Sequence, residues 1–157
     1  MEALAARVQR LEDIEEIKQL KAAYCRFCDD GYDPDGIASL FTDDGIWAGG
    51  DTFGHAETKE GIREFFTGAH KGIPIARHQV MNPIIEVDGD TAKGHWLLFQ
   101  PMEQKKKGAL WLAATYSDKY ARTAEGWRIK HLSIDIAFFT QCHKGWANQR
   151  FHNKSRL

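Results

Sequence analysis

Seven histidines and three cysteines are the side chains of this 157-residue sequence best suited to chemistry near neutral pH. Cys25 and Cys28 form a CxxC. A redox CxxC draws its reactive thiolate from the positive end of a helix dipole, at the helix N-terminus. Here the pair closes a helical stretch, where the dipole opposes a thiolate, so the two are expected as small buried side chains. A zinc site would need two more ligands, and only the adjacent Cys142 and His143 offer themselves. No HxH, HExxH or paired-histidine-plus-carboxylate spacing shares one element, so no metal is expected. Gly49-Gly50 fit neither GxGxxG nor a P-loop, which leaves nucleotide binding unsupported. Acid–base chemistry by an imidazole remains, since a neutral ring near pH 7 is a natural general base.

The histidines differ in where strand alternation puts them. His95 is out of step with Trp96, Leu98 and Gln100, so if those face a cavity His95 faces away. His131, Ser133 and Asp135 share one strand face, and Leu132, Ile134, Ile136 and Phe138 share the other. Aromatics are plentiful at 11% of the chain, which favours a flat hydrophobic ligand over a sugar or nucleotide. Trp47, Phe53, Phe65, Phe66, Trp96, Leu98 and Phe138 are the candidate pocket wall.

The elements that position these residues are legible in the hydrophobic pattern. Residues 4–28 read as one amphipathic helix, with Leu4, Val8, Leu11, Ile14, Ile17, Leu20, Tyr24 and Phe27 at steps of three and four. Asp29-Asp30-Gly31 and Asp33-Pro34-Asp35-Gly36 end it. A short helix is expected at 35–41, a strand around Ile46-Trp47, and another short helix at 57–69. Beyond Gly72 the pattern becomes β-branched and aromatic with partial alternation, predicting four long antiparallel strands at 76–87, 91–102, 109–121 and 127–139. Turn chemistry at Asp88-Gly89, Lys107-Gly108 and Glu125-Gly126 joins them as hairpins. Helices followed by a meander of strands make an α+β fold with N-terminal helices packed over one face of a curved antiparallel sheet. No linker divides the chain, so residues 1–157 are read as a single domain, with 142–157 a C-terminal tail.

Bulk properties narrow the partners. Twenty-one basic against 22 acidic residues leave a net charge of −1, which argues against nucleic acid. No apolar run approaches the roughly 20 residues of a membrane span, and no signal-peptide core is present. Three cysteines do not build a disulfide framework, so a reduced, cytoplasmic protein is expected.

Several segments resemble the SnoaL-like branch of the nuclear-transport-factor-two superfamily: IEEIKQLKAAYCR, SLFTDDGIW, ARHQVMNPIIEV, GHWLL and YSDKYARTAEGWRIKHLS. The likeness spans roughly residues 8–140, with bile acid and scytalone dehydratases and lindane dehydrochlorinase among its members. It implies a cone-shaped, cystatin-like α+β barrel around an apolar pocket, and a His–Asp dyad working without a cofactor. On that register His78 is the base, Asp29 or the adjacent Asp30 orients it, and Tyr24 polarises the substrate. Substrate contacts fall on Trp47, Phe53, Phe65, Trp96, Leu98, Gln100, Ile136 and Phe138. Gln100 and Ile136 replace an acid and an arginine of the bile acid enzyme, so its particular substrate is not expected.

The reading that follows is a cofactor-independent, dehydratase-like lyase for a bulky hydrophobic cyclic or aromatic small molecule. A carbon–carbon lyase releasing formaldehyde from lignin-derived diaryl compounds, a ketosteroid-isomerase-like enzyme and a non-catalytic binding module are the alternatives. The chain is expected to form a homo-oligomer, a trimer or a dimer, through the sheet face bearing Leu97 and Trp111. The tail, with Trp146 and Phe151, is expected either as subunit contact or as a lid over the cone.

Overall fold

The computed structural model of the protein describes residues 3–149. Its first element is helix α1 (Leu4–Asp29). The half of α1 that packs is the second: Ile17, Leu20, Tyr24 and Cys28, at steps of three and four, are buried. The first turns differ from expectation, for Leu4, Val8 and Leu11 lie exposed at 72%, 45% and 67%. The helix overshoots the sheet there, and its first buried residue is Asp13.

After α1 come α2 (Pro34–Ser39), strand β1 (Phe41–Ala48), α3 (Gly50–Phe53), β2 (His55–Glu57) and α4 (Lys59–Phe66). A 3-10 turn (Ala69–Lys71) leads to β3 (Ile75–Ala76), β4 (Gln79–Asp88), β5 (Thr91–Gln104), β6 (Gly108–Thr123) and β7 (Gly126–Gln141). A last turn of helix, α5, covers Gly145–Asn148. The helix expected at 57–69 is in fact three pieces. Glu57 ends a strand, Thr58 caps α4 by accepting from the Gly61 N–H at 3.1 Å, and Gly68 (φ 81°) breaks the chain before the 3-10 turn. The side chain of Trp146, and residues 150–157 with Phe151, lie outside what is described, so the lid expectation does too.

The sheet runs β2-β1-β7-β6-β5-β3, with β4 also paired to β5, and all neighbours are antiparallel except β1 with β7. Four long hairpin strands were legible, and they are the four that form β4 to β7. The sheet curves and does not close. Bulges supply part of that curvature: Asn82-Pro83 on β4, where Asn82 sits at φ 51°, and Lys130 and Ala137 on β7. Each single-residue bulge shifts the side-chain phase by one. Among the described residues no helix is long and apolar enough to cross a membrane.

Polar clamps fasten α1 to the sheet. The Arg122 guanidinium grips Asp13 with two bonds of 2.8 Å, and the Trp127 indole donates to the same carboxylate at 3.1 Å. Glu16 accepts the backbone N–H of Trp127 at 2.9 Å, and Lys21 meets Asp118 at 2.8 Å with both side chains fully buried. Arg122 holds the Asp13 carboxyl down to about 2 against the cost of its burial. A depressed folded-state pKa gives stability that is present above the unfolded value and lost as pH falls through the folded one. Roughly 2 kcal/mol should therefore fade between about pH 4 and pH 2. Urea unfolding at stepped pH should show this slope in the wild type and lose it in Asp13→Asn. A slope that survives the substitution would assign the acid sensitivity elsewhere.

Candidate active site

The last turn of α1 ends in a tight reversal. The N–H groups of Asp30, Tyr32 and Asp33 bond back to the carbonyls of Arg26, Cys28 and Phe27, with Gly31 at φ 93° making the turn. This leaves the Asp29 side chain aimed at the chain entering β4. Its Oδ1 accepts the backbone N–H of His78 at 2.9 Å and lies 2.7 Å from His78 Nδ1, while Oδ2 is 3.2 Å from the same N–H. Arg77 secures the junction by donating to the Asp29 carbonyl at 3.1 Å. Of the two aspartates left open by the sequence, Asp29 is thus the partner of His78. Asp30 is exposed. A carboxylate on Nδ1 fixes the proton there and leaves Nε2 as the basic nitrogen.

His78 forms part of the wall of a cavity of about 180 Å³ between α1, α4 and the sheet. Tyr24, Tyr32, Trp47, Phe53, Phe65 and Phe66 contribute aromatic surface. Leu98, Met102, Leu112, Ile73, Ile134 and Ala69 contribute aliphatic surface, and Gln100 and Tyr116 add polar groups. The rings of Tyr24 and Tyr32 stand edge-on to His78, with centroids 6.5 and 6.2 Å away. The Tyr24 hydroxyl accepts from the Trp47 indole N–H at 2.8 Å, so Trp47 both walls the cavity and orients the phenol. Burial pushes the Tyr24, Tyr32 and Tyr116 phenols up, so all three remain proton donors at neutral pH. Phe65, 38% exposed, sits against Trp47 and Phe66 where the cavity meets the surface.

His78, Asp29 and Tyr24 are therefore brought together, and Trp47, Phe53, Phe65, Leu98 and Gln100 line the cavity as expected. Three expected wall residues do not. Trp96 points inward with Leu98 but lies outside the cavity wall, its indole donating to the Tyr120 hydroxyl at 3.1 Å. Ile136 is buried opposite Ala114, and Ile134 takes the wall position instead. Phe138 is turned out of phase by the Ala137 bulge, which gives the inward place to Phe139, packed on Phe53 at 5.5 Å. Trp111, expected on the open sheet face, is half-buried and stacked on Phe99 at 5.4 Å. His95 and Asp135 face out, as alternation required. Cys25 and Cys28 are free, buried thiols. Burial pushes Cys25 up to about 11 and Cys28 well above the usual thiol range, so neither is a thiolate near neutral pH.

Tyr32 and Tyr116 were not anticipated. Tyr116 carried a signal, since it shares a strand face with Asp118 and Tyr120 in the YSDKY segment. Tyr32 carried none: it occupies a turn at φ 57°, unusual for a bulky side chain, and is held by stacking on Phe66 at 5.9 Å. Among the described residues no cluster of three or more His, Cys, Asp or Glu could hold a metal.

The tautomer is testable directly. Long-range ¹⁵N–¹H spectra of the neutral His78 ring should show the proton on Nδ1, and Asp29→Ala should release it to Nε2. A proton on Nε2 in the wild type would contradict the geometry.

The model of the SnoaL-like domain matches residues 9–133. Uncharacterized proteins of Mycobacterium bovis and Mycobacterium tuberculosis are 31% identical over 70 residues, 43% of this chain and 48% of theirs. The match thus spans about half the length of these curated relatives. A Novosphingobium aromaticivorans protein described as NTF2-like with a cystatin-like fold superposes with a TM-score of 0.69 at 27% identity, over 87% of this chain and 91% of that one. The hexachlorocyclohexane dehydrochlorinase LinA-type3 of Novosphingobium barchaimii LL02 gives 0.77 at 20% identity, over 85% and 92%, which establishes likeness of fold alone.

Proposed function

The chain belongs to the SnoaL-like domain family, and on that footing we propose that it is a cofactor-independent lyase for a hydrophobic cyclic or aromatic small molecule. The observation that carries this reading is the Asp29–His78 pair, 2.7 Å apart, at the wall of a cavity whose other polar groups are phenols and one amide. The dehydrochlorinase among its structural neighbours performs an elimination, in keeping with it. In the dehydratase form, His78 Nε2 takes a proton from carbon, the C–H pair becomes a double bond, and the neighbouring C–O bond breaks. The imidazolium returns its proton to the departing hydroxide, giving water. Tyr24 donates to the oxygen on which charge develops. Apolar walls exclude water and strengthen each of these interactions.

The cavity volume argues for size. At roughly 30 Å³ per water in the liquid, it corresponds to on the order of half a dozen waters, which suits a small ring compound. A carbon–carbon version fits the same groups and is favoured by Gln100, where a carboxylate would repel an electron-rich aryl ring. There His78 takes the O–H proton of a hydroxymethyl group, the C–C bond breaks to release formaldehyde, its electron pair becomes a C=C bond and expels a β-hydroxyl, and that hydroxide takes the proton from the imidazolium to leave as water.

A reducing compartment is part of the proposal, given three free thiols. So is self-association, as a trimer or a dimer, through the sheet face that leaves Met81, Ile84 and Leu97 at 43%, 60% and 41% exposure. Multi-angle light scattering checks the latter; a monomer at all concentrations would sink it.

Mass spectrometry of products, with no cofactor added, tests the chemistry on hydroxylated cyclic ketones and diarylpropanediols. Loss of water identifies the dehydratase, and loss of formaldehyde plus water the carbon–carbon lyase. His78→Ala should lower kcat roughly 10²- to 10⁴-fold with KM little changed. Undiminished turnover in that variant would remove His78 from the mechanism.

A further inference from the structure

Behind the cavity lies a charge that the elimination does not use. The ammonium of Lys21 and the carboxylate of Asp118 are both wholly buried and 2.8 Å apart. Asp118 Oδ2 also accepts from the Tyr120 hydroxyl at 2.8 Å, and that hydroxyl accepts from Trp96. The other carboxylate oxygen is buried without a partner, so this network is not tuned for full satisfaction. A buried ion pair of this kind is often no more stabilising than apolar residues of the same volume. Its placement is more informative than its strength. Lys21 Nζ stands 3.4 Å from the centroid of the Tyr116 ring and 5.2 Å from that of Tyr24, and both rings line the cavity.

We infer that Lys21 is a positioning residue: held by Asp118 against the ring of Tyr116, its ammonium draws electron density from the phenol and makes it a stronger donor to a ligand oxygen bound beside His78. The inference rests on the reading of this cavity as the reaction site, and it narrows the substrate to a ring system bearing an oxygen that gains negative charge. Tyr24 and Tyr116, whose rings meet edge-to-face at 6.4 Å, then form one donor wall with a cation behind it. The cation is sealed from solvent, so salt screens its pull on the ring little, and the Asp118 carboxylate beside it offsets part of that pull. It never contacts the ligand. Its effect passes through Tyr116, whose burial keeps the phenol protonated and able to donate.

The test reads binding, without turnover. The probes are 4-nitrophenolate and nitrobenzene, alike in shape and different in one anionic oxygen. Lys21→Met alone strands a buried carboxylate and is prone to unfold. The working variant is therefore Lys21→Met with Asp118→Leu, which removes both charges, its fold checked by thermal unfolding. It should weaken 4-nitrophenolate about tenfold, the size of a desolvated cation–π contact, and leave nitrobenzene unchanged. Tyr116→Phe should give a similar loss, and adding it to the double variant should cost little more. Equal losses for both probes would mean a purely structural pair and overturn the inference. So would an additive Tyr116→Phe effect, a folded variant that binds like the wild type, or a wild type with no preference for the phenolate. An intact preference alongside no turnover on any compound would instead overturn the lyase reading.

Discussion

One carboxylate holds this site together. Asp29 accepts from the backbone of His78 and from its ring, so a single side chain fixes where β4 begins and how the imidazole points. Two bonds to one residue constrain it far more than one. The main-chain bond sets the position of Cα, and the ring bond sets the rotation of the side chain about it. An imidazole on a free loop would lose much of its worth as a base to rotamer entropy and to the wrong tautomer. Here that cost is met in folding, since α1 is already anchored on the sheet by Asp13, Glu16 and Lys21. The helix end that presents Asp29 is therefore tied to the curved sheet beneath it.

Around that pair the fold sorts polarity along the cavity. The surface end is aromatic hydrocarbon, led by Phe65. The end near α1 holds the imidazole and the phenols of Tyr24 and Tyr116. A ligand driven in by burial of its rings must bring any polar group to the inner end, because only there are partners available. Neighbouring glycines serve the same packing: a Cβ at Gly94 would lie 2.8 Å from the Tyr120 ring, so the Trp96–Tyr120–Asp118 chain needs a bare backbone on β5.

Much of this was legible in the sequence, for reasons that can be named. The second half of α1 and the four hairpin strands declared themselves because periodicity and Gly-centred turns agree. The dyad did not follow from spacing, since Asp29 and His78 are 49 residues apart. It came from the likeness of the ARHQVMNP and IEEIKQLKAAYCR segments to a known family. Alternation failed at Phe138, and a bulge was the cause. Ala137 moved Phe138 out and Phe139 in, and no composition rule marks an alanine as a bulge. Tyr32 was hidden by its irregular backbone. Lys21 was hidden by its residue type: at i+4 from Ile17 and three before Tyr24 it falls on the apolar face of α1, yet nothing in the sequence pairs it with Asp118, 97 residues away.

The central claim is that Asp29 makes His78 Nε2 the basic nitrogen of an aromatic-lined cavity. Alkylation with phenacyl bromide, an apolar aromatic electrophile, tests it most directly when run on a Cys142→Ser chain and mapped by mass spectrometry and NMR. The account predicts one fast adduct, on Nε2 of His78, that disappears in Asp29→Ala. Alkylation at the exposed His55, His70 or His95 in preference to His78, or an Nδ1 adduct on His78, would contradict it.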